Sequence, residues 1–178
     1  MARCQEYPQG YLNLDFKRIY RMGLIENSPN AIVDAANMAI TKLLRAGAIR
    51  DRQWGYLTIV SAIDARILYI IQVGECPLEK AEKYCRLSQE KARRLFNQIG
   101  VGRKSSWLSR NEKNDQWGGA ICAGKVIVSF SGLSELADEA VSLMTAVFCG
   151  WLAIEQAREI AAISDNKFFE QLLQLMKA

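Results

Sequence analysis

Residues able to hold a small anion gather around one stretch of the chain, Gly118-Gly119-Ala120-Ile121-Cys122-Ala123-Gly124-Lys125-Val126-Ile127-Val128-Ser129-Phe130-Ser131-Gly132. Ser131-Gly132 leads into a long apolar helix pattern that begins near Ser134. Free backbone N–H groups and the helix dipole converge at such a corner and favour negative charge. Gly118-Gly119 gives a surface that a ligand can approach closely, although glycines leading into a strand also serve geometry alone. Asp138 and Glu139, in the opening turns of the helix, compete as internal acids and weaken the case for a phosphate. Trp107 and Trp117 bracket Arg110 and Lys113, a pattern that stacks a flat ligand or single-stranded nucleic acid, or simply packs a loop edge.

The 178-residue chain contains no histidine, so the usual neutral-pH base and the commonest metal or haem ligand are both missing. Acid–base work would fall to Asp, Glu, Lys, Tyr or Cys, and any haem would be held weakly or without imidazole. Cys85 and Cys122 read as inert core thiols. No serine hydrolase, zinc, P-loop or dinucleotide signature occurs, so the sequence assigns no catalytic residue and no metal ligand and leaves any cofactor unknown.

The elements that must position these residues follow from periodicity. Ser28-Pro29 starts a helix as N-cap and first-turn proline, Ile32 to Leu44 forms its apolar stripe, and Gly47 stops it. Tyr56–Ile63 and Ile67–Val73 are β-rich and separated by Asp64-Ala65-Arg66, which predicts a hairpin. Leu57, Ile59 and Ile63 alternate with Tyr56, Val60 and Ala62, so both faces are greasy and something must cover the second. Pro77 opens a helix that ends near Gly100, with six basic and three acidic residues between Leu78 and Gln98 on its solvated face. The loop from Ile99 to Trp117 is turn-rich, and its scarcity of apolar residues predicts a mobile segment. Ala123-Gly124 suits the turn of a second hairpin, and helices follow over about 134–162, with Gly150 as a bend or break, and about 165–177. Before Ser28 the period is ambiguous: Leu12, Leu14 and Phe16 alternate like a strand, while Phe16, Ile19 and Tyr20 fit a helical turn.

Composition bounds the rest. Half of the residues are hydrophobic, enough for one well-buried core, and the formal charge of +4 does not call for nucleic acid. Five scattered cysteines without C-x-x-C spacing, and a polar start without an apolar leader, point to a cytoplasmic protein with free thiols. The most hydrophobic run, 140–154, is too short and too polar for a membrane span.

In this order of elements, Lys91-Ala92, Gly118-Gly119-Ala120-Ile121, Gly124, Ser131-Gly132 and Asp138 resemble the motif positions of the GlcG/HbpS-type, or haem-degrading-like, family over roughly residues 29–150. Three positions depart from that pattern. Ile121 replaces a proline, the first hairpin turn lacks a glycine, and Val126 to Phe130 lacks an inner glycine, which crowds the backbone near any ligand. The resemblance implies an α+β fold of the GlcG/profilin-like kind: an antiparallel sheet of four or more strands flanked by helices, usually oligomeric. The expected organisation is an N-terminal extension (1–28), the GlcG/HbpS-like unit (29–150) and a C-terminal helical extension (151–178) within a single domain. It also places Lys91 beside the double glycine, as a ligand-facing cation or as one more solvated lysine.

The function expected on these grounds is a non-catalytic or accessory small-molecule-binding protein, taking a small carboxylate or a tetrapyrrole-like ligand. Its site would comprise Lys91, Gly118, Gly119, Ser131, Gly132 and Trp117. An enzyme acting on a small organic acid without a histidine base, and a protein-interaction module, stand as alternatives. The expected partner is a second copy of the chain, with no nucleic acid and no membrane. Apolar strands and the C-terminal Phe168, Phe169, Leu172, Leu173, Leu175 and Met176 motivate self-association. Lys91→Ala is expected to weaken binding while leaving the fold nearly intact.

Overall fold

The structure, a computed structural model, describes residues 28–50 and 52–177. The alternatives for Leu12 to Tyr20, most of the N-terminal extension and Cys4 lie outside the described residues. The elements are α1 (Pro29–Arg45), β1 (Gly55–Ser61), β2 (Ile67–Val73), α2 (Leu78–Ile99), β3 (Ala120–Ala123), β4 (Val126–Ser131), α3 (Glu135–Phe148), α4 (Ile154–Ile163) and α5 (Lys167–Lys177). Two hairpins lie side by side in one antiparallel sheet of order β2-β1-β4-β3. This is an α+β fold with a four-stranded antiparallel sheet, as expected.

Strand alternation sorts the core into two layers. Leu57, Ile59, Ile121, Val128 and Phe130 point to one face, where they pack with α1, α3, α4 and α5. Val60, Ala120 and Ile127 point to the other, under Ala92 and Leu95 of α2. Helix α2 is therefore the cover that the two-faced strands require. It rests on β1, β4 and β3 and leaves β2 without a roof.

The C-terminal helices are part of the same body. Phe169, Leu172 and Leu173 of α5 are buried in the cluster that holds Leu57 and Phe130, and Phe168 and Met176 pack against it. These residues consequently give no outward-facing patch for self-association. Among the described residues, exposed large apolar groups cluster on the first hairpin, at Ile63, Ile67, Leu68 and Ile70, with Leu78, Val101 and Leu108 scattered elsewhere. Ile63 lies beyond the end of β1 and is not on the inward face that alternation predicts.

The break that was one alternative at Gly150 is present, and two other local expectations change. The long helix divides at Gly150 into α3 and α4, with a φ of +70° at the break. The second hairpin turns at Gly124-Lys125, one residue later than Ala123-Gly124, because Ala123 still pairs with Val126. The loop after α2 is not an untethered segment. It contains two 3-10 turns, Ser106–Ser109 and Glu112–Asn114, and isolated bridges from Ser105 to Ile121 and from Asn111 to Gln116. The Arg94 guanidinium ties it down by donating to the carbonyls of Ser106, Ser109 and Trp117. One charged fork supplies the anchoring that an apolar stripe would otherwise give.

Candidate functional site

Lys91 lies at i+4 from Leu87 and i−4 from Leu95, on the stripe of α2 that faces the sheet. It is only 1% exposed. Its ammonium passes the end of β4 and donates to Asp138 Oδ2 at 2.7 Å and to the Phe130 carbonyl at 3.2 Å. Asp138 Oδ1 in turn accepts from the Leu133 N–H at 2.8 Å, so this carboxylate fixes the corner between β4 and α3. Burial pushes the Asp138 carboxyl above its ordinary range, and the Lys91 charge pulls it back. The lysine is thus neither solvated nor a free receptor for an anion: an internal carboxylate already holds its charge.

Gly119 completes this group. Its φ is +118°, and a Cβ there would stand 2.8 Å from Asp138 Cβ, 3.1 Å from Lys91 Nζ and 3.2 Å from the Phe130 carbonyl oxygen. The expected neighbours Lys91 and Gly119 do meet. Gly118 is buried beside Trp107 and donates its N–H to Glu135 Oε1 at 2.6 Å. Gly132 faces away from them, against Trp54 and Gly55, where a Cβ would come within 2.3 Å of the Trp54 carbonyl. Its lack of a side chain serves chain crossing.

A cleft of about 380 Å³ opens next to the ion pair. Lys83, Tyr84, Leu87 and Lys91 of α2 form one side, Asp115 and Trp117 come from the loop, and Ser131, Leu133, Ser134, Glu135 and Asp138 form the corner. Lys91, Trp117 and Ser131 of the expected site residues line it, whereas Gly118, Gly119 and Gly132 do not. Tyr84, Lys83, Leu133 and Glu135 were missed by sequence reasoning. Tyr84 has the one available signal, since it lies seven residues before Lys91 on the inward stripe.

Charge in the cleft is mostly spent on internal pairs. Asp138 meets Lys91, Glu135 meets Arg110 at 3.6 Å, and Asp115 meets Arg86 at 3.5 Å. Among the described residues, Lys83 has no acidic partner, and its ammonium lies 6.0 Å from the centre of the Tyr84 ring. Ser131 lines the cleft, and its hydroxyl is met by no protein group among the described residues; the fully buried hydroxyls without a partner are those of Ser129 and Thr145, outside the cleft lining. Beside Ser131, the side chain of Ser134 leaves the first turn of α3 uncapped.

The two loop tryptophans have different roles. Arg110 stacks on Trp107 at 3.9 Å, which packs the loop edge. Trp117 donates its indole N–H to Asp115 at 2.6 Å and presents its ring to the cleft. Cys76, Cys85, Cys122 and Cys149 are unbridged, and burial pushes the Cys149 thiol up to about 12. Among the described residues, no group of three potential metal-ligating side chains comes together.

A second buried carboxylate lies one residue beyond Asp138. Glu139 accepts from Ser105 Oγ at 2.5 Å, from Asn166 Nδ2 at 2.9 Å and from the Ser164 hydroxyl, with no cation among these partners. It joins the loop, α3 and the turn between α4 and α5. Burial pushes its carboxyl up, so the native state holds the proton more tightly than the unfolded chain. The resulting stability is present below the ordinary glutamate range and is lost as pH rises through the raised value. Glu139→Gln keeps an acceptor for Asn166 and Ser164 and can donate to Ser105. Its stability relative to the parent is therefore expected to improve from pH 5 to pH 8 in urea denaturation. A difference that does not change with pH would contradict a charge buried there.

No protein-family model, curated protein or solved structure matches the chain. Among the described residues, no helix is long and apolar enough to cross a membrane.

Proposed function

We propose that this chain is a non-catalytic, small-molecule-binding protein of the GlcG/HbpS type that holds a small organic carboxylate in the cleft between α2 and the corner from β4 to α3. The observation that carries this reading is Ser131, whose hydroxyl stands at the wall of the cleft with no protein hydrogen-bond partner among the described residues. A hydroxyl donor that faces a cleft without a protein acceptor is open to a carboxylate oxygen. Lys83 and the uncapped first turn of α3 bias the same place toward negative charge. The volume suits a metabolite-sized compound better than a tetrapyrrole. The cleft acids Asp115, Glu135 and Asp138 are each held by a cation, which favours binding over the acid–base chemistry of an enzyme. Convergence of Lys91, Gly119 and Asp138 supports the family reading, because the resemblance rests on those positions.

The proposal includes a cytoplasmic homo-oligomer. Unbridged thiols fit a reducing compartment. The uncharged outer edge of β2, with Ile67 and Ile70 exposed, offers an antiparallel ladder to the same strand of a second copy. Titrating monocarboxylates from acetate to benzoate against the full chain, by calorimetry, tests the binding. One saturable site is expected, and Ser131→Ala should weaken it about 5–10-fold, the worth of one hydrogen bond. Absence of saturable binding across the series removes the reading. A single 20.0 kDa species in light scattering of the same samples removes its oligomeric part.

A further inference from the structure

Resting on the carboxylate reading above, we infer that the ligand is an aromatic carboxylate, with its ring between Tyr84 and Trp117 and its carboxylate at Ser131. The two aromatic side chains come from different elements, Tyr84 from α2 and Trp117 from the loop before β3, and both line the cleft. Each is held by its polar handle. Tyr84 accepts at its hydroxyl from Arg52 at 3.0 Å, and Trp54 packs edge-on to its ring at a centroid distance of 5.4 Å. Trp117 is fixed twice, through the indole N–H on Asp115 and through its carbonyl, which accepts from Arg94 at 2.5 Å.

The indole N–H of Trp117 is taken by Asp115, and the Tyr84 hydroxyl accepts from Arg52 with its own O–H still free to donate, so both side chains offer a ligand ring surface and Tyr84 offers one donor as well. Leu87 and Leu133 also line the cleft, and Ser131 and Lys83 supply its polar groups without a hydrogen-bond or ion-pair partner among the described residues. Aromatic side chains held before binding lose little freedom on contact, so a planar ring gains most from them. A cleft of about 380 Å³ has room for one or two fused rings bearing a carboxylate.

Four probes separate the components of this assignment: benzoate, cyclohexanecarboxylate (same charge, no aromatic plane), benzamide (same ring, no charge) and acetate. Titrated against the full chain by calorimetry, benzoate is expected to bind at least about 5-fold more tightly than each of the others. Trp117→Leu is expected to weaken benzoate about 5-fold and acetate less than about 2-fold. The comparison of probes on the parent chain stands even if that variant does not fold. Equal binding of cyclohexanecarboxylate and benzoate overturns the aromatic assignment and leaves the carboxylate reading in place. Equal binding of benzamide and benzoate overturns both, as does failure of all four to bind.

Discussion

Lys91→Ala is expected to cost the fold about 3–5 kcal/mol, the range for stranding one partner of a buried ion pair. Lys91 and Asp138 are both almost inaccessible, and the 2.7 Å contact between them is the only opposite charge that either meets among the described residues. Without the ammonium, Asp138 keeps its Leu133 N–H but is left as a buried anion, and the Phe130 carbonyl loses a donor. Such a loss is a large part of the about 5–15 kcal/mol that stabilises an ordinary domain. It also replaces the earlier expectation of a nearly intact fold, which rested on Lys91 being exposed. Burial already raises the Asp138 carboxyl, and removing Lys91 removes the charge that opposes this shift. In the variant the native state binds the proton more tightly, so its deficit should grow as pH rises above the ordinary aspartate range. Urea denaturation at pH 5 and pH 8 measures both effects. The double variant Lys91→Met with Asp138→Leu should recover most of the loss, since an apolar pair leaves no charge unpaired. A single variant within about 1 kcal/mol of the parent would mean that the pair contributes as an exposed one does.

The arrangement of helices around the strands was legible because its cause is periodic. Leu57 and Ile59 alternate with Val60 in a strand greasy on both faces, and that demands a cover on each. Burial of Lys91 was not read from the sequence, although a signal for it was present. Lys91 is the charged residue between Leu87 and Leu95 on a stripe otherwise made of residues that face the sheet. Asp138 and Glu139 gave the matching signal, two acids in a helix whose next eight residues are all buried. Their partners were beyond reach. Ser105 and Ser164 approach Glu139 from 34 and 25 residues away, and nothing local in either serine announces it. The Arg94 anchor of the loop is likewise a non-local event, invisible to a reading that looks for apolar stripes. Gly132 looked like its neighbours in the motif but answers to a different contact, the passing chain at Trp54. Sequence places residues on faces; which polar groups meet across faces depends on how the layers close.

Gly119→Val is expected to destabilise by about 3–5 kcal/mol and to remove any binding in the cleft, because two independent penalties fall on one residue. The first is the backbone. A φ of +118° is open to glycine and strained for a β-branched residue, at a cost of about 1–3 kcal/mol. The second is space. The Cβ alone would overlap Asp138 Cβ at 2.8 Å and press on Lys91 Nζ and the Phe130 carbonyl, and valine adds two methyl groups beyond it. Asp138 cannot retreat without losing Lys91 or the Leu133 N–H, so relief at Gly119 breaks the pair that fixes the cleft wall. Gly124→Ala is the informative comparison. That glycine also has a positive φ, +63°, but a Cβ there meets nothing closer than the Trp151 carbonyl at 3.6 Å. It should cost only about 1–2 kcal/mol, the backbone part by itself. Urea denaturation of the two variants side by side separates strain from collision. Equal losses would show that the contacts of Gly119 with Asp138 and Lys91 add nothing, and would remove the physical basis for tying Gly119 to the ion pair behind the cleft wall.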